Sequence, residues 1–382
     1  MEAATSTTAE RPKLKLLDSA EEVQAYLNAI TSPSFPEAFR SPSQVTKLTT
    51  GIANGIHRLA YVNTTGSSLP ETLILRHSTK YVFEISGRTV VWDLWPFELQ
   101  ALQHVPNTEF VKTPKVYWVD EVNRVILTED AGPSSQTLKN LLLSDKIPNV
   151  DVFTKIGEEL GSYLVRLHDW GRDTDVLKQY ENKDARTIAS WRTYGRLEGA
   201  LAKSHPDLAE SLKLKVKSFC ETEQKRPFTA NDTVIMGDFW TGNVLVNLDD
   251  AGMLKSLYII DWEMIRPADA ATEISQMLAE VWEGGEFGKS SDARDAARSL
   301  SFGLCSAYKL GVGALPANML QDVMLAAGAH AVVWAEIGFA NYGDEEKFKV
   351  VKDKAANFMW EAFGEKVEPQ DWGFAPLSDN VR

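Results

Sequence analysis

The sequence predicts an α+β chain of two lobes, a small antiparallel β-rich lobe followed by a large helical one. Three observations carry this. Between residues 45 and 77, short β-branched and apolar runs are separated by a glycine turn. From residue 138 onward the apolar residues recur mostly at helical spacing. The length of 382 residues, 44% of them hydrophobic and 24% charged, suffices for two separate cores.

In chain order, the polar start through Glu10 is expected to be loosely held. Residues 20–30 have helical spacing with Glu21, Glu22 and Gln24 facing out, and Thr31-Ser32-Pro33-Ser34-Phe35-Pro36 breaks that helix. Strands follow at 45–48, 56–62 and 73–77, the first two joined by Gly51-Ile52-Ala53-Asn54-Gly55. A helix over 91–104 carries Glu98, and 116–119 and 125–127 read as two more strands. These end at Thr128-Glu129-Asp130-Ala131-Gly132-Pro133, where a hinge is expected. Beyond it, Ile156, Leu160, Tyr163, Leu164 and Leu167 mark an apolar stripe stopping at His168-Asp169-Trp170-Gly171, with His168 in a structural role. One amphipathic helical segment is predicted over 187–222, and closing helices over 300–310, 318–339 and 347–363. The expected organisation is an N-terminal extension with a short helix (1–40), a nucleotide-binding lobe and hinge (41–131) and a helical lobe (132–382).

The chemistry is concentrated in residues 233–263. Val234-Ile235-Met236 is a short apolar strand; Asn243 to Asn247 and Leu257 to Ile260 are two more, joined through Asp249-Asp250-Ala251-Gly252. Pairing of the last two returns the chain to its starting point, so Asn243 and Asp261 lie side by side with Asp238 just before them. Two carboxylates and an amide in that order suit phosphoryl transfer: one Asp orients an acceptor hydroxyl, while an Asn and a second Asp hold magnesium. The spacing agrees, because Asp238 and Asn243 are separated by Phe239, Trp240, Thr241 and Gly242, as in a kinase catalytic loop. A lone Asp-x-x-x-x-Asn is weak; the strand before it and the hairpin after it give it value.

At these residues, Met236-Gly237-Asp238-Phe239-Trp240-Thr241-Gly242-Asn243-Val244-Leu245-Val246 and Ile260-Asp261-Trp262-Glu263, the chain resembles the aminoglycoside phosphotransferase and choline kinase superfamily, particularly its fungal small-molecule members. The resemblance extends over most of residues 45–340 and implies a protein-kinase-like fold. It implies ATP and Mg²⁺ as cofactors, Asp238 as the catalytic residue and Asn243 and Asp261 as metal ligands, with Glu263 supporting the metal or contacting the acceptor. It places Arg76 against the α- and β-phosphates with Glu98 as its partner, Gly51, Asn54 and Gly55 over the phosphates, and adenine against the backbone around Leu127 to Asp130, Leu127 and Glu129 foremost. Left to itself, the glycine turn is equally an ordinary hairpin, and the bland alternative for Glu98, the less favoured one, is a solvated residue on a helix face. Two departures stand out: Met236 replaces a supporting His, and Glu273 stands where a following helix usually opens with Asp. Arg76 also replaces the usual Lys, and the two cations are not interchangeable.

The net charge of −13 argues against a nucleic-acid partner and suits a small-molecule hydroxyl acceptor, one bearing an amine among others; choline-like, aminoglycoside-like and sugar-like hydroxyls are all compatible. No apolar run reaches the roughly 18 residues of a spanning helix, and the first ten residues do not read as a signal peptide, so no membrane partner and a cytoplasmic location are expected. Cys220 and Cys305 read as buried free thiols. After Glu263 there is no room for a peptide-positioning segment, which disfavours a protein kinase. Gly284 to Ser290 resembles a P-loop but has Glu283 where the motif needs Gly, and reads as an exposed loop. The predicted function is ATP- and magnesium-dependent phosphorylation of a small-molecule hydroxyl. The alternative is a nucleotide-binding pseudokinase in which Arg76 and Met236 mark decayed catalysis; intact Asp238, Asn243 and Asp261 favour the enzyme.

Overall fold

The computed structural model describes residues 17–50, 54–62, 70–85, 88–147, 149–227, 229, 232–365 and 372–377. The elements begin with α1 (Ala20–Ala29), β1 (Gln44–Thr50), β2 (Asn54–Ala60), β3 (Thr72–Ser78), β4 (Tyr81–Ile85), β5 (Arg88–Trp92) and α2 (Trp95–His104). Then come β6 (Val111–Lys112), β7 (Val116–Asp120), β8 (Val125–Glu129), β9 (Gln136–Thr137), α3 (Leu138–Leu142), α4 (Val150–Trp170), α5 (Thr174–Gln179), α6 (Lys183–Ser204) and α7 (Glu210–Lys225). The chain closes with β10 (Thr233–Ile235), β11 (Val244–Leu248), β12 (Leu254–Ile259), β13 (Arg266–Ala268), α8 (Ala270–Phe287), α9 (Ala293–Val312), α10 (Met319–Gly338) and α11 (Glu345–Ala362). Two compact units result, Met1–Trp95 with Lys115–Asp130, and Pro96–Pro114 with Ala131–Arg382.

In the first unit the strands order β1-β2-β3-β8-β7, every neighbour antiparallel. Alternation along β3 sends Leu73 and Leu75 into a core with Leu59, Val125, Leu127 and Trp118. Val23 and Leu27 of α1 close that core from one face. The helix starts where it does because Ser19 caps it: its side chain accepts from Glu22 N–H, and the Glu22 carboxylate accepts from Ser19 N–H in return.

In the second unit a four-stranded sheet, β6-β12-β11-β9, and the β10–β13 ribbon lie among the helices. Packing is tightest between α4 and α9. A Cβ on Gly157 would sit 2.1 Å from the Leu300 carbonyl oxygen and one on Gly161 2.3 Å from that of Leu304, so only glycine admits this approach. Among the described residues, no helix is long and apolar enough to cross a membrane.

Several expectations are corrected. Val91 and Trp92 are strand residues of β5, not helix, because the β-branched run Thr89-Val90-Val91 pairs with β4; α2 begins only at Trp95, with Pro96 in its first turn. The 187–222 segment is two helices, α6 and α7, interrupted at His205 to Ala209 where Pro206 forbids a continuous ladder. Gly284 and Gly285 are buried inside α8 rather than exposed in a loop; Gly284 packs against the Leu142 side chain, and a Cβ on Gly285 would lie 2.8 Å from the Ala297 Cβ, closer than a side chain tolerates. The two-residue strand β6, parallel to β12, was too short to announce itself. Gly51 lies outside the described residues. Cys220 and Cys305 are buried free thiols.

Candidate active site

β11 and β12 pair with Val244 opposite Ile259, and the Ile260 N–H donates to the Asn243 carbonyl at 3.0 Å. The register therefore sets Asn243 and Asp261 at the same end of the hairpin. Asp261 has left-handed backbone angles, φ 67° and ψ 61°, a conformation that costs a non-glycine residue about 1 kcal/mol or more and recurs where a side chain must be aimed for function. Trp262 locks the turn behind it: the fully buried indole donates to the Ile259 carbonyl at 2.9 Å.

Asp238 is held from two sides. Gln276 of α8 donates its Nε2 to Oδ1 at 2.9 Å, and Asn243 donates its Nδ2 to the Asp238 carbonyl at 3.0 Å and to Oδ2 at 3.4 Å. With its nitrogen so engaged, Asn243 has its Oδ1 without a donor among the described residues. Asn243 and Asp261 thus bring an amide oxygen and a carboxylate to one end of the hairpin, hard oxygen donors of the kind a magnesium-sized dication takes. Burial, and then the charge of Asp261, raise the Asp238 carboxyl above its ordinary 3.8; Gln276, Arg192 and His330 act in the opposite sense.

The loop before Asp238 is braced by residues distant in sequence. Glu273 of α8 accepts from Gly237 N–H at 3.2 Å and, on its other oxygen, from His168 Nε2 at 2.8 Å; Tyr308 donates in turn to His168 Nδ1 at 3.0 Å. His168 and Glu273 are wholly screened from solvent, so the pair holds its geometry without competition from water. Met236 is fully buried and fills space; the polar support that a His there would give comes from α4 and α8. Gly237 itself admits nothing larger. Its φ is +82°, and a Cβ would lie 2.1 Å from Arg266 Nη1 and 2.2 Å from the Met264 carbonyl oxygen. Arg266, buried, donates to the carbonyls of Gly237 and Met264 at 3.0 and 3.1 Å.

Asp238 and Gln276 line a cavity of about 430 Å³ within the second unit, together with Trp240, Glu280, His330 and Trp334. Lys139 spans one wall. Its Nζ donates to the Gly338 carbonyl at 2.8 Å and stands 3.8 Å from the Phe339 ring centroid, 5.0 Å from that of Trp240 and 3.7 Å from Glu280 Oε2. Arg192 lies over Trp334 at 4.8 Å. The cavity lining thus combines the indoles of Trp240 and Trp334 with both carboxylates, Asp238 and Glu280 among them, and cationic side chains, Lys139, Arg192 and Arg266 among them.

Of the sequence-predicted residues, Asp238, Asn243 and Asp261 come together, and Glu263 follows on the same turn, its carbonyl accepting from Asn182 at 3.2 Å. In the first unit, Asn54 and Gly55 open β2, Arg76 is a buried residue of β3, and Leu127 and Glu129 lie on β8. Glu98, also buried, belongs to α2 and the second unit. Sequence reasoning missed Gln276, Glu280, Lys139, His330 and Trp334. One signal was available: Glu273, Gln276, Glu280 and Glu283 fall at spacings of three and four on a largely buried helix, a polar stripe that such a helix does not carry without cause.

The chain matches the model of the phosphotransferase enzyme family over residues 50–304, more than half of its 382 residues. It is 25% identical over 324 residues to the 4-hydroxytryptamine kinase of Psilocybe cyanescens, covering 78% of this chain and 85% of that protein. To the 4-hydroxytryptamine kinase of Psilocybe cubensis it is 23% identical over 306 residues, or 75% and 79% of the two chains. The choline kinase structure from Cryptosporidium parvum Iowa II superposes with a TM-score of 0.52 at 14% identity, covering 94% of this chain and 98% of that one, which establishes the kinase-like fold. Kinases of this type draw their phosphoryl group from ATP with a divalent cation. The chain belongs to the phosphotransferase enzyme family and is a small-molecule kinase that acts on a hydroxyl acceptor.

Proposed function

We propose that the enzyme transfers the γ-phosphoryl group of magnesium-ATP to the hydroxyl of a small aromatic amine bound in the cavity beside Asp238. The observation that carries this reading is the union of a held, raised-pKa carboxylate with a cavity of about 430 Å³, the size of a compact drug-like ligand, whose lining includes two indoles and the Glu280 carboxylate. The names of the two fungal relatives support an indolic amine as acceptor class.

In this reading Asp238 takes or orients the hydroxyl proton, with Gln276 fixing which oxygen faces the acceptor. Asn243 through Oδ1, Asp261 and, as support, Glu263 hold the cation, which when bound neutralises charge on the nucleotide phosphates. Arg76 contacts the α- and β-phosphates, Gly51, Asn54 and Gly55 cover them, and the backbone of Leu127 to Glu129 takes the adenine. Trp240 and Trp334 supply flat faces for an aryl ring, and Glu280 an anion for an ammonium.

The test is magnesium-ATP turnover on a matched panel: hydroxylated arylethylamines, their N-acetyl derivatives, choline, ethanolamine, an aminoglycoside and glucosamine. Turnover is expected on the free hydroxyaryl amines, reduced on the acetylated ones through KM. Turnover confined to sugars or to aliphatic amino alcohols would refute the acceptor assignment.

A further inference from the structure

Beyond Gln276, α8 carries Glu280, placed above beside the acceptor's ammonium, and Glu283, which phosphoryl transfer leaves without a task. Glu280 follows Gln276 by one helical turn, and Glu283 follows Glu280 by three residues, so both carboxyls point to one side of the helix. His330 faces them from α10, with its Nε2 3.3 Å from Glu280 Oε1. One ligand atom from each of the three residues lies within 4.8 Å of the other two. Glu280, Glu283 and His330 are 4%, 0% and 8% exposed. Neither oxygen of Glu283 has a hydrogen-bond partner.

That orphan carboxyl is the second observation. Two carboxyls stacked three apart inside a protein oppose one another, and a buried polar group without a partner calls for a missing one. Lys139 answers only part of the demand, since it approaches the Oε2 side of Glu280 and spends a hydrogen bond on Gly338. The remaining opening is bounded by Glu280 Oε1, His330 Nε2 and Glu283.

We propose that Glu280, Glu283 and His330 bind one transition-metal dication, zinc foremost, at the wall of the acceptor cavity. The ligand set decides the class of ion. Two carboxylates and an imidazole suit zinc, manganese or cobalt, whereas magnesium prefers an all-oxygen octahedron with several waters. Bonds of about 2.0–2.2 Å place tetrahedral ligands roughly 3.4 Å apart; Glu280 Oε1 and His330 Nε2, at 3.3 Å, already hold that spacing, and Glu283, within 4.8 Å of both, has the remaining distance to close. Glu280 and His330 line the cavity while Glu283 stands behind them, which opens the fourth coordination position toward the acceptor. An ion there takes the anion we assign to the acceptor's ammonium; that consequence, unlike zinc binding itself, rests on the proposed function.

The experiment is isothermal titration of tag-free protein with zinc in excess magnesium, which saturates the oxygen-only site at Asn243 and Asp261. Wild type is expected to take up one equivalent, Glu283→Gln to bind at least about tenfold more weakly, and His330→Ala to lose binding. Glu283→Gln is isosteric and removes no cavity-lining group, so its turnover without zinc should be unchanged. In wild type zinc should inhibit competitively against the acceptor and not against ATP, and this inhibition should fade in Glu283→Gln. No zinc uptake by wild type, uptake undiminished in Glu283→Gln, or uptake abolished by Asp261→Ala instead would each overturn the proposal. Loss of all turnover in zinc-free wild type would sink the acceptor reading while the titration still judged the metal site.

Discussion

Replacing Glu273 with alanine is the most informative perturbation of the catalytic loop. The side chain accepts from the half-buried Gly237 N–H at 3.2 Å and from His168 at 2.8 Å, the latter wholly screened from solvent. Truncation leaves the buried His168 donor unpaired, so a loss of about 1–3 kcal/mol in stability is expected, with a smaller addition from the half-buried Gly237 N–H, less whatever water entering the hole returns. The kinetic effect follows from geometry. Gly237 precedes Asp238, and releasing its N–H lets the carboxylate drift from its hydrogen bond with Gln276; a displacement of about 1 Å is worth on the order of 10²-fold in rate. The loss should fall on kcat, with acceptor KM nearly unchanged, because the cavity walls on α8 and α10 stay in place. Glu273→Gln keeps an oxygen for Gly237 and an amide for His168 and should restore most of both. The assay is steady-state kinetics with a thermal melt on each variant. If Glu273→Ala melts several degrees lower yet keeps wild-type kcat, the brace is structural only and the account of the loop is wrong.

Three further outcomes follow. Because burial and Asp261 raise the Asp238 pKa, the acid limb of kcat/KM should lie above the ordinary 3.8 and move to lower pH as a divalent cation neutralises Asp261; a limb insensitive to cation concentration would contradict this. The same raised pKa means that folding disfavours ionised Asp238, so Asp238→Asn should abolish turnover and raise Tm at neutral pH, the gain shrinking as pH falls toward 3.8; a lowered Tm would count against it. Gly237→Ala combines a positive φ with a clash against Arg266 and Met264, and should cost about 2–4 kcal/mol by denaturant titration; a cost below 1 kcal/mol would show that the turn relaxes.

The parts of this enzyme legible in the sequence are those built from neighbours. Turn residues at 249–252 between two apolar runs predict the β11–β12 hairpin, and the hairpin alone brings Asn243 beside Asp261. What the sequence conceals is assembled across the chain. His168 and Glu273 are 105 residues apart, and neither position carries a local sign that they meet. The cavity wall is similar: Lys139, Glu280 and His330 come from α3, α8 and α10, and a lysine laid over two aromatic rings is indistinguishable in sequence from a solvated one. The misread elements have local reasons too. A β-branched run ahead of α2 looked like the start of an apolar helix, and Pro206 was passed over inside a long amphipathic pattern.

The most direct test of the central claim is to follow the phosphoryl group itself. Wild type and Asp238→Asn are incubated with magnesium-ATP and a hydroxylated arylethylamine, and the acceptor is examined by mass spectrometry and ³¹P NMR. A phosphate ester on the acceptor oxygen, formed with wild type and absent with Asp238→Asn at equal ATP binding, is the predicted result. A phosphate ester formed at the same rate by the variant would contradict the account, because the carboxylate held by Gln276 and Asn243 would then not be the group that prepares the hydroxyl.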